Sequence, residues 1–169
     1  MSRHNEPATA EDILGTCRRL ELGASEVYAH FAGRTADPDL AAVWRCMSEE
    51  EASHAAAVER LRDRPDFVPP TISRAELDAI IGRVDAVRRD AIEPGLDIPG
   101  MLVVATALEL SEMNDLFALA CRASGVDSDQ GRAQHLSGLV EAAAKLGTKA
   151  GAVRHILASV VRLDRARWT

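Results

Sequence analysis

The sequence is poor in aromatic residues and has no long apolar run, and each shortage excludes a class of protein. Aromatic residues make up 4% of the 169 residues, whereas β-strands favour aromatic and β-branched side chains. Alanine and leucine are abundant instead, and both favour helices. No apolar run reaches the roughly 18 residues that a membrane span requires, and the stretch 1–10 is polar. An all-α, cytoplasmic protein with no membrane partner is therefore predicted.

Cysteine and basic residues are too few for a cysteine-based framework or a nucleic-acid-binding protein. The three cysteines, Cys17, Cys46 and Cys121, form no Cys-x-x-Cys pair, which excludes a thiolate metal site and a disulfide framework. We expect all three to be small core residues. The 20 Lys and Arg residues against 26 Asp and Glu residues give a net charge of -6, and no basic stretch is interleaved with aromatic residues. Nucleic acid is therefore not an expected partner.

Apolar residues recur at three- and four-residue spacing, which is typical of one helix face. Signals for a helix start occur at Thr9 with Asp12, at Asp37 with Pro38, and at Ser73 with Glu76. The pattern predicts a first helix that ends within 33–37 and a second that ends before the proline-rich loop 63–72. It then predicts an accessory helix over 73–92, bundle helices over 99–124 and 129–146, and a C-terminal helix over about 148–166.

Four long helices with an accessory helix in the second connection predict a ferritin-like four-helix bundle with one crossover. We expect a single domain over 1–169, with the core bundle over about 10–146. The C-terminal helix has an apolar face, which favours a homodimer or partner contact. Acids also recur at related spacing, since Glu21 precedes Glu51 by 30 residues and Glu112 precedes Glu141 by 29. This is the pattern of two related helical hairpins.

Acidic residues interrupt the apolar faces of the predicted helices. The polar residues on those faces are Glu21, Glu51, His54, Glu109, Glu112 and Glu141. Burying a carboxylate without a partner is costly, so acids that face one another in a bundle require cations or protons. Glu51 and His54 are three residues apart and share one helix face, the Glu-x-x-His spacing of bundles that hold two metals. Carboxylate and imidazole ligands favour iron, or manganese, over zinc.

Three short motifs resemble those of a known family. Residues 28–32, Tyr-Ala-His-Phe-Ala, follow Glu21 by seven positions and resemble the first-helix motif Tyr-x-x-Phe-Ala of rubrerythrins. Residues 50–55, Glu-Glu-Ala-Ser-His-Ala, resemble the second-helix motif, and residues 109–113, Glu-Leu-Ser-Glu-Met, the third-helix motif. The chain thus resembles the rubrerythrin branch of the ferritin-like superfamily over most of 10–146.

The resemblance implies a non-haem iron protein that reduces peroxide or oxygen. By this likeness the iron ligands or their alternates are Glu21, Glu51, His54, Glu109, Glu112 and Glu141. Tyr28 is the neighbouring catalytic residue. The family's fourth helix normally repeats Glu-x-x-His, whereas this chain has Ala144 at the histidine position. Both a di-iron and a mononuclear centre therefore stay open, and manganese is an alternative metal.

A second hypothesis is a non-catalytic bundle that has lost its full metal site. In that interpretation the acids are protonated or salt-bridged, Tyr28 is a plain core residue, and Glu109 or Glu112 pairs with an arginine. The chain would then act in metal binding or in protein interaction. Ala144 is the sequence feature that favours this alternative.

Overall fold

The described part of the chain is helical, as predicted. The structure is a computed structural model that describes residues 6–65, 67–109 and 116. These residues form α1 (Ala10–Arg34), α2 (Pro38–Arg62), α3 (Arg74–Ala91) and α4 (Ile98–Glu109). Within these ranges there is no strand beyond an isolated antiparallel bridge between Pro7 and Ser73. The predicted fourth bundle helix and C-terminal helix lie outside the described residues.

Local hydrogen bonds start the first three helices at the predicted positions. Thr9 and Asp12 form a capping box at α1, and Ser73 and Glu76 form one at α3. Asp37 accepts hydrogen bonds from two amides of the first turn of α2, which satisfies donors that have no partner within the helix. The α1 end lies inside the predicted interval 33–37, and α3 ends one residue before the predicted 92.

Helices α1 and α2 form an antiparallel hairpin with a well-defined register. Their connection is short, running only over 35–37, which favours antiparallel neighbours. The Ser25 hydroxyl contacts Ser48, and the Tyr28 ring stacks on the Trp44 ring. Moving forward along α1 therefore corresponds to moving backward along α2. The aromatic rings lie on one side of the serine contact. On the opposite side, one helical turn away, the same register places Glu21 opposite Glu51.

Two hydrophobic clusters fill the core on either side of these acids. The first cluster contains Tyr28, Trp44 and Leu102, and the second contains Cys17 and Val58, among others. Phe31 packs edge-on against Trp44 with ring centroids 5.4 Å apart. Burial of these side chains supplies most of the drive for folding.

The prediction that the cysteines are core residues is correct for one and wrong for another. Cys17 is buried, whereas Cys46 is exposed on α2. Cys46 lies between the inward-facing Trp44 and Met47, which are three residues apart on the buried line, so it points away from α1. Cys121 lies outside the described residues.

Arg34, the last residue of α1, binds the connection between α3 and α4. Its guanidinium donates hydrogen bonds to the carbonyl oxygens of Glu93, Pro94 and Leu96. The planar guanidinium group thus holds three carbonyl oxygens of the connection, which fixes the position of the start of α4 relative to α1. Over the described ranges, no helix is long and apolar enough to cross a membrane.

Candidate metal centre

The α1–α2 hairpin brings Glu21, Glu51 and His54 together. His54 Nδ1 lies 3.1 Å from Glu51 Oε2 and 3.6 Å from Glu21 Oε2. One potential ligand atom from each residue lies within 4.8 Å of the other two. The three-residue step from Glu51 to His54 puts both side chains on one face of α2. That face is turned toward Glu21 on α1.

Both carboxylates are removed from solvent, while the imidazole reaches it. Glu21 and Glu51 have 0% relative exposure, and the His54 side chain is 24% exposed. Neither oxygen of Glu21 has a hydrogen-bond partner among the described residues. A carboxylate this deeply buried is costly unless a cation or a proton compensates it. The two acids therefore need a compensating cation or proton, and of the three residues His54 alone reaches the solvent.

The ionisation of the cluster is strongly shifted. Burial raises the pKa of Glu51 to about 7, and the adjacent Glu21 carboxyl adds to this against the opposing effect of His54. Burial lowers the pKa of His54, but the two neighbouring carboxyl groups outweigh it and raise that pKa to about 10. Protonated His54 thus compensates the acids when no metal is bound.

A tyrosine of α1 near the cluster binds a carboxylate of α4. The Tyr28 hydroxyl donates a 2.6 Å hydrogen bond to Glu109 Oε1, and both residues are buried. Burial, together with the charges of Glu109, Glu51 and Glu21, raises the pKa of Tyr28 well above its usual value. Tyr28 therefore stays protonated and remains a donor to Glu109.

The donor set and its spacing fit a transition metal. Two ligand atoms that bind one ion at about 2.1 Å and at right angles lie about 3.0 Å apart. The 3.1 Å separation between His54 Nδ1 and Glu51 Oε2 is compatible with this value, although it is equally that of a hydrogen bond, and Glu21 Oε2 lies 3.6 Å from the same nitrogen. Two carboxylates and one imidazole form a mixed oxygen and nitrogen set that suits iron, manganese or zinc.

The predicted site residues fall into three groups in the structure. Glu21, Glu51 and His54 lie together, and their role as metal ligands stays a prediction. Glu109 is buried at the end of α4, where it binds Tyr28 and is not part of that group of three. Glu112, Glu141 and Ala144 lie outside the described residues, so their predicted roles stay predictions. Tyr28 is more than an apolar core residue, because its hydroxyl makes the contact with Glu109.

Sequence reasoning missed a pair of serines beside the centre. The Ser25 hydroxyl donates to the Ser48 carbonyl oxygen at 2.8 Å, and the Ser48 hydroxyl donates to the Ser25 carbonyl oxygen at 2.9 Å. Ser25 follows Glu21 by four residues and Ser48 precedes Glu51 by three, so both lie one turn from the acids. This spacing is the signal that would have identified them.

The fold and site define a helical protein with a buried carboxylate–histidine cluster between two antiparallel helices. In comparisons with known proteins, the chain matches no protein-family model, no curated protein and no solved structure. The motif resemblance to rubrerythrins therefore remains a prediction from the sequence. Any function of this chain must therefore be inferred from the cluster itself.

Proposed function

We propose that the protein binds a divalent transition metal, with iron as the first choice, through Glu21, Glu51 and His54. The observation that carries this proposal is the fully buried Glu21 carboxylate, whose oxygens have no hydrogen-bond partner among the described residues although Glu51 is close by. A divalent cation would compensate both acids and accept the imidazole nitrogen as a third ligand. The surrounding fold in this proposal is a ferritin-like bundle.

The chain's own residues would give the bound metal a sheltered and partly open environment. The two hydrophobic clusters exclude bulk water from the carboxylate side. The exposed edge of His54 is the side from which a small solute approaches. Tyr28 holds the Glu109 carboxylate in place and keeps a proton at its own hydroxyl oxygen. Such a site favours peroxide or oxygen over a bulky substrate.

The activity we propose is peroxide reduction, as the rubrerythrin resemblance implies. Hydrogen peroxide takes up two electrons and two protons to give two waters, so two ferrous ions, each oxidised to ferric iron, would supply the electrons, from one two-iron centre or from two chains. The test mixes anaerobic, iron-loaded protein with hydrogen peroxide and follows ferrous iron oxidation. We expect faster oxidation than for the same iron with Glu51→Ala. Equal rates for the two proteins would contradict the proposed activity.

Metal stoichiometry tests the binding proposal directly. Protein purified without chelator, and then reconstituted anaerobically with ferrous iron, is analysed for metal atoms per chain. About one iron supports a centre at Glu21, Glu51 and His54 alone, and about two require further carboxylates. A folded helical protein with no metal would overturn the proposal.

Matched substitutions assign the ligands. Glu51→Ala is compared with Glu49→Ala, which makes the same change of charge on the same helix at an exposed position. Glu51→Ala, Glu21→Ala and His54→Ala are expected to abolish iron loading, and Glu49→Ala to retain it. Full iron loading of Glu51→Ala would show that the site assignment is wrong.

One observation favours a second function, a metal-free charge cluster inside an interaction bundle. His54 contacts both carboxylates and is protonated at neutral pH, so the acids are partly compensated without a metal. Under this alternative, adding metal leaves the melting temperature unchanged. Glu51→Ala would then keep or raise stability, since a buried acid is removed. Under the metal proposal, ferrous iron raises the melting temperature of the wild type and not of Glu51→Ala.

A further inference from the structure

The reciprocal contact between Ser25 and Ser48 lies at the interface of α1 and α2, which determines the spacing of the proposed metal ligands. Glu21 is on α1, whereas Glu51 and His54 are on α2, so their separation depends on how closely the two helices approach. Ser25 and Ser48 bridge this interface one helical turn away from the carboxylates. A metal site requires its ligands to be held within a few tenths of an ångström. The serine contact is therefore close enough to set that spacing.

The geometry of the contact requires the two backbones to be close together. Serine in a helix commonly donates its hydroxyl to its own helix, three or four residues back. Here each hydroxyl instead donates to the backbone carbonyl of the other serine, at 2.8 and 2.9 Å, and the two hydroxyl oxygens are 3.1 Å apart. A hydroxyl only two bonds from its Cα reaches a facing carbonyl only when the helices nearly touch. A carbonyl has two lone pairs and can accept this bond beside its intrahelical one.

The aromatic layer on the other side of the serines stops the hairpin from sliding. Tyr28 and Trp44 stack with ring planes 9° apart, three and four residues from the serines along their helices. A shift of one helix along the other would separate these rings and break both serine bonds. The layers thus follow in the order carboxylates, serines and aromatic rings. This order leaves the serine pair as the contact directly beside the ligands.

We propose that Ser25 and Ser48 are positioning residues that set the distance of Glu21 from Glu51 and His54 for metal binding. This inference rests on the proposed function, since it concerns the same site. It predicts that losing both hydroxyls weakens metal binding by at least about tenfold, as for other residues that orient ligands without touching the metal. Each single substitution removes one of the two bonds, because the carbonyl acceptors stay, and should weaken binding by less.

The experiment compares Ser25→Ala/Ser48→Ala with the wild type and with Leu40→Ala. Leu40 is a buried residue of α2, 11 positions before Glu51 and thus about 16 Å away along the helix. Its truncation destabilises the same helix without touching the site. Cobalt(II), which absorbs visible light, is titrated into each protein at a temperature where circular dichroism shows it folded. If the double variant is not folded, the two single variants are used.

A measurement on the metal-free protein tests the positioning role of the serines independently of metal binding. The imidazole resonances of His54 report its position beside Glu21 and Glu51, and they are measured by NMR at one pH without metal. We expect these resonances to shift, and the cobalt affinity and absorption spectrum to change, in the serine variants but not in Leu40→Ala. Unchanged resonances, or an unchanged cobalt affinity, would overturn the positioning role. If the wild type binds no metal, the proposed function fails, and the His54 resonances still decide whether the serines position the cluster.

Discussion

The hydrogen bond from the Tyr28 hydroxyl to Glu109 Oε1, 2.6 Å long, joins α1 to α4 across the buried core. Its length lies in the range of bonds from a hydroxyl to an ionised carboxylate, which are stronger than bonds between neutral groups. Tyr28 also stacks on Trp44 of α2. One side chain therefore connects three helices beside the candidate metal centre.

Removing the Tyr28 hydroxyl should destabilise the protein through Glu109. We expect Tyr28→Phe to lower the free energy of unfolding by about 1.5–3 kcal/mol, because the buried carboxylate loses a donor. The measurement is urea unfolding of chelator-treated protein. A double-mutant cycle with Glu109→Leu isolates the pair. Effects that add to within about 0.5 kcal/mol would contradict a direct coupling between the two side chains.

The metal-free protein should lose stability as the pH rises. Glu51 has a folded pKa of about 7 against an ordinary value of 4.5, so its stabilising protonation is complete below 4.5 and lost as the pH passes 7. His54 has a folded pKa of about 10 against 6.5, so its contribution is complete below 6.5 and lost toward pH 10. Both pKa values are raised in the folded protein, so the free energy of unfolding should fall between pH 5 and 9.

Urea midpoints of chelator-treated protein across that pH range test this dependence. Glu51→Gln mimics the protonated acid and should flatten the curve between pH 5 and 7. Glu49→Gln, at an exposed position of the same helix, serves as the control and should leave the curve unchanged. A wild-type curve that rises with pH, or a slope that Glu51→Gln does not alter, would argue against the ionisation scheme.

The anchoring of the α3–α4 connection depends on one arginine. Arg34→Ala should speed amide hydrogen exchange in residues 93–98, because three carbonyl contacts disappear together. Arg34→Lys keeps the charge but cannot reach several carbonyls with one planar group, so it should exchange nearly as fast as the alanine variant. Full protection in the lysine variant would show that charge alone suffices.

Local signals in the sequence predicted the helices, and spacing predicted part of the centre. Capping residues and apolar periodicity act within one or two turns, so Thr9, Asp37 and Ser73 marked helix starts correctly. Glu21 and Glu51 were recognisable because each interrupts a buried apolar line. Their burial in the structure agrees with that interpretation.

Features that depend on the packing of one helix against another were not predictable in this way. The serine contact requires the register of α1 against α2, which no single helix encodes. The acceptor of the Tyr28 hydroxyl likewise depends on where α4 packs. The error at Cys46 has a different origin, since it came from reasoning on residue type instead of position on the helix face.

Metal binding should release protons, and fewer of them as the pH rises. The ligands bind metal in their deprotonated forms. At pH 6, Glu51 with a pKa of about 7 and His54 with a pKa of about 10 are both mainly protonated, so about two protons should leave for each metal bound. At pH 8 only His54 still holds its proton, and about one should leave. Calorimetric titration in buffers of different ionisation enthalpy counts these protons. A release that does not change between pH 6 and 8 would contradict either the role of Glu51 as a ligand or its raised pKa, and iron loading of Glu51→Ala distinguishes the two.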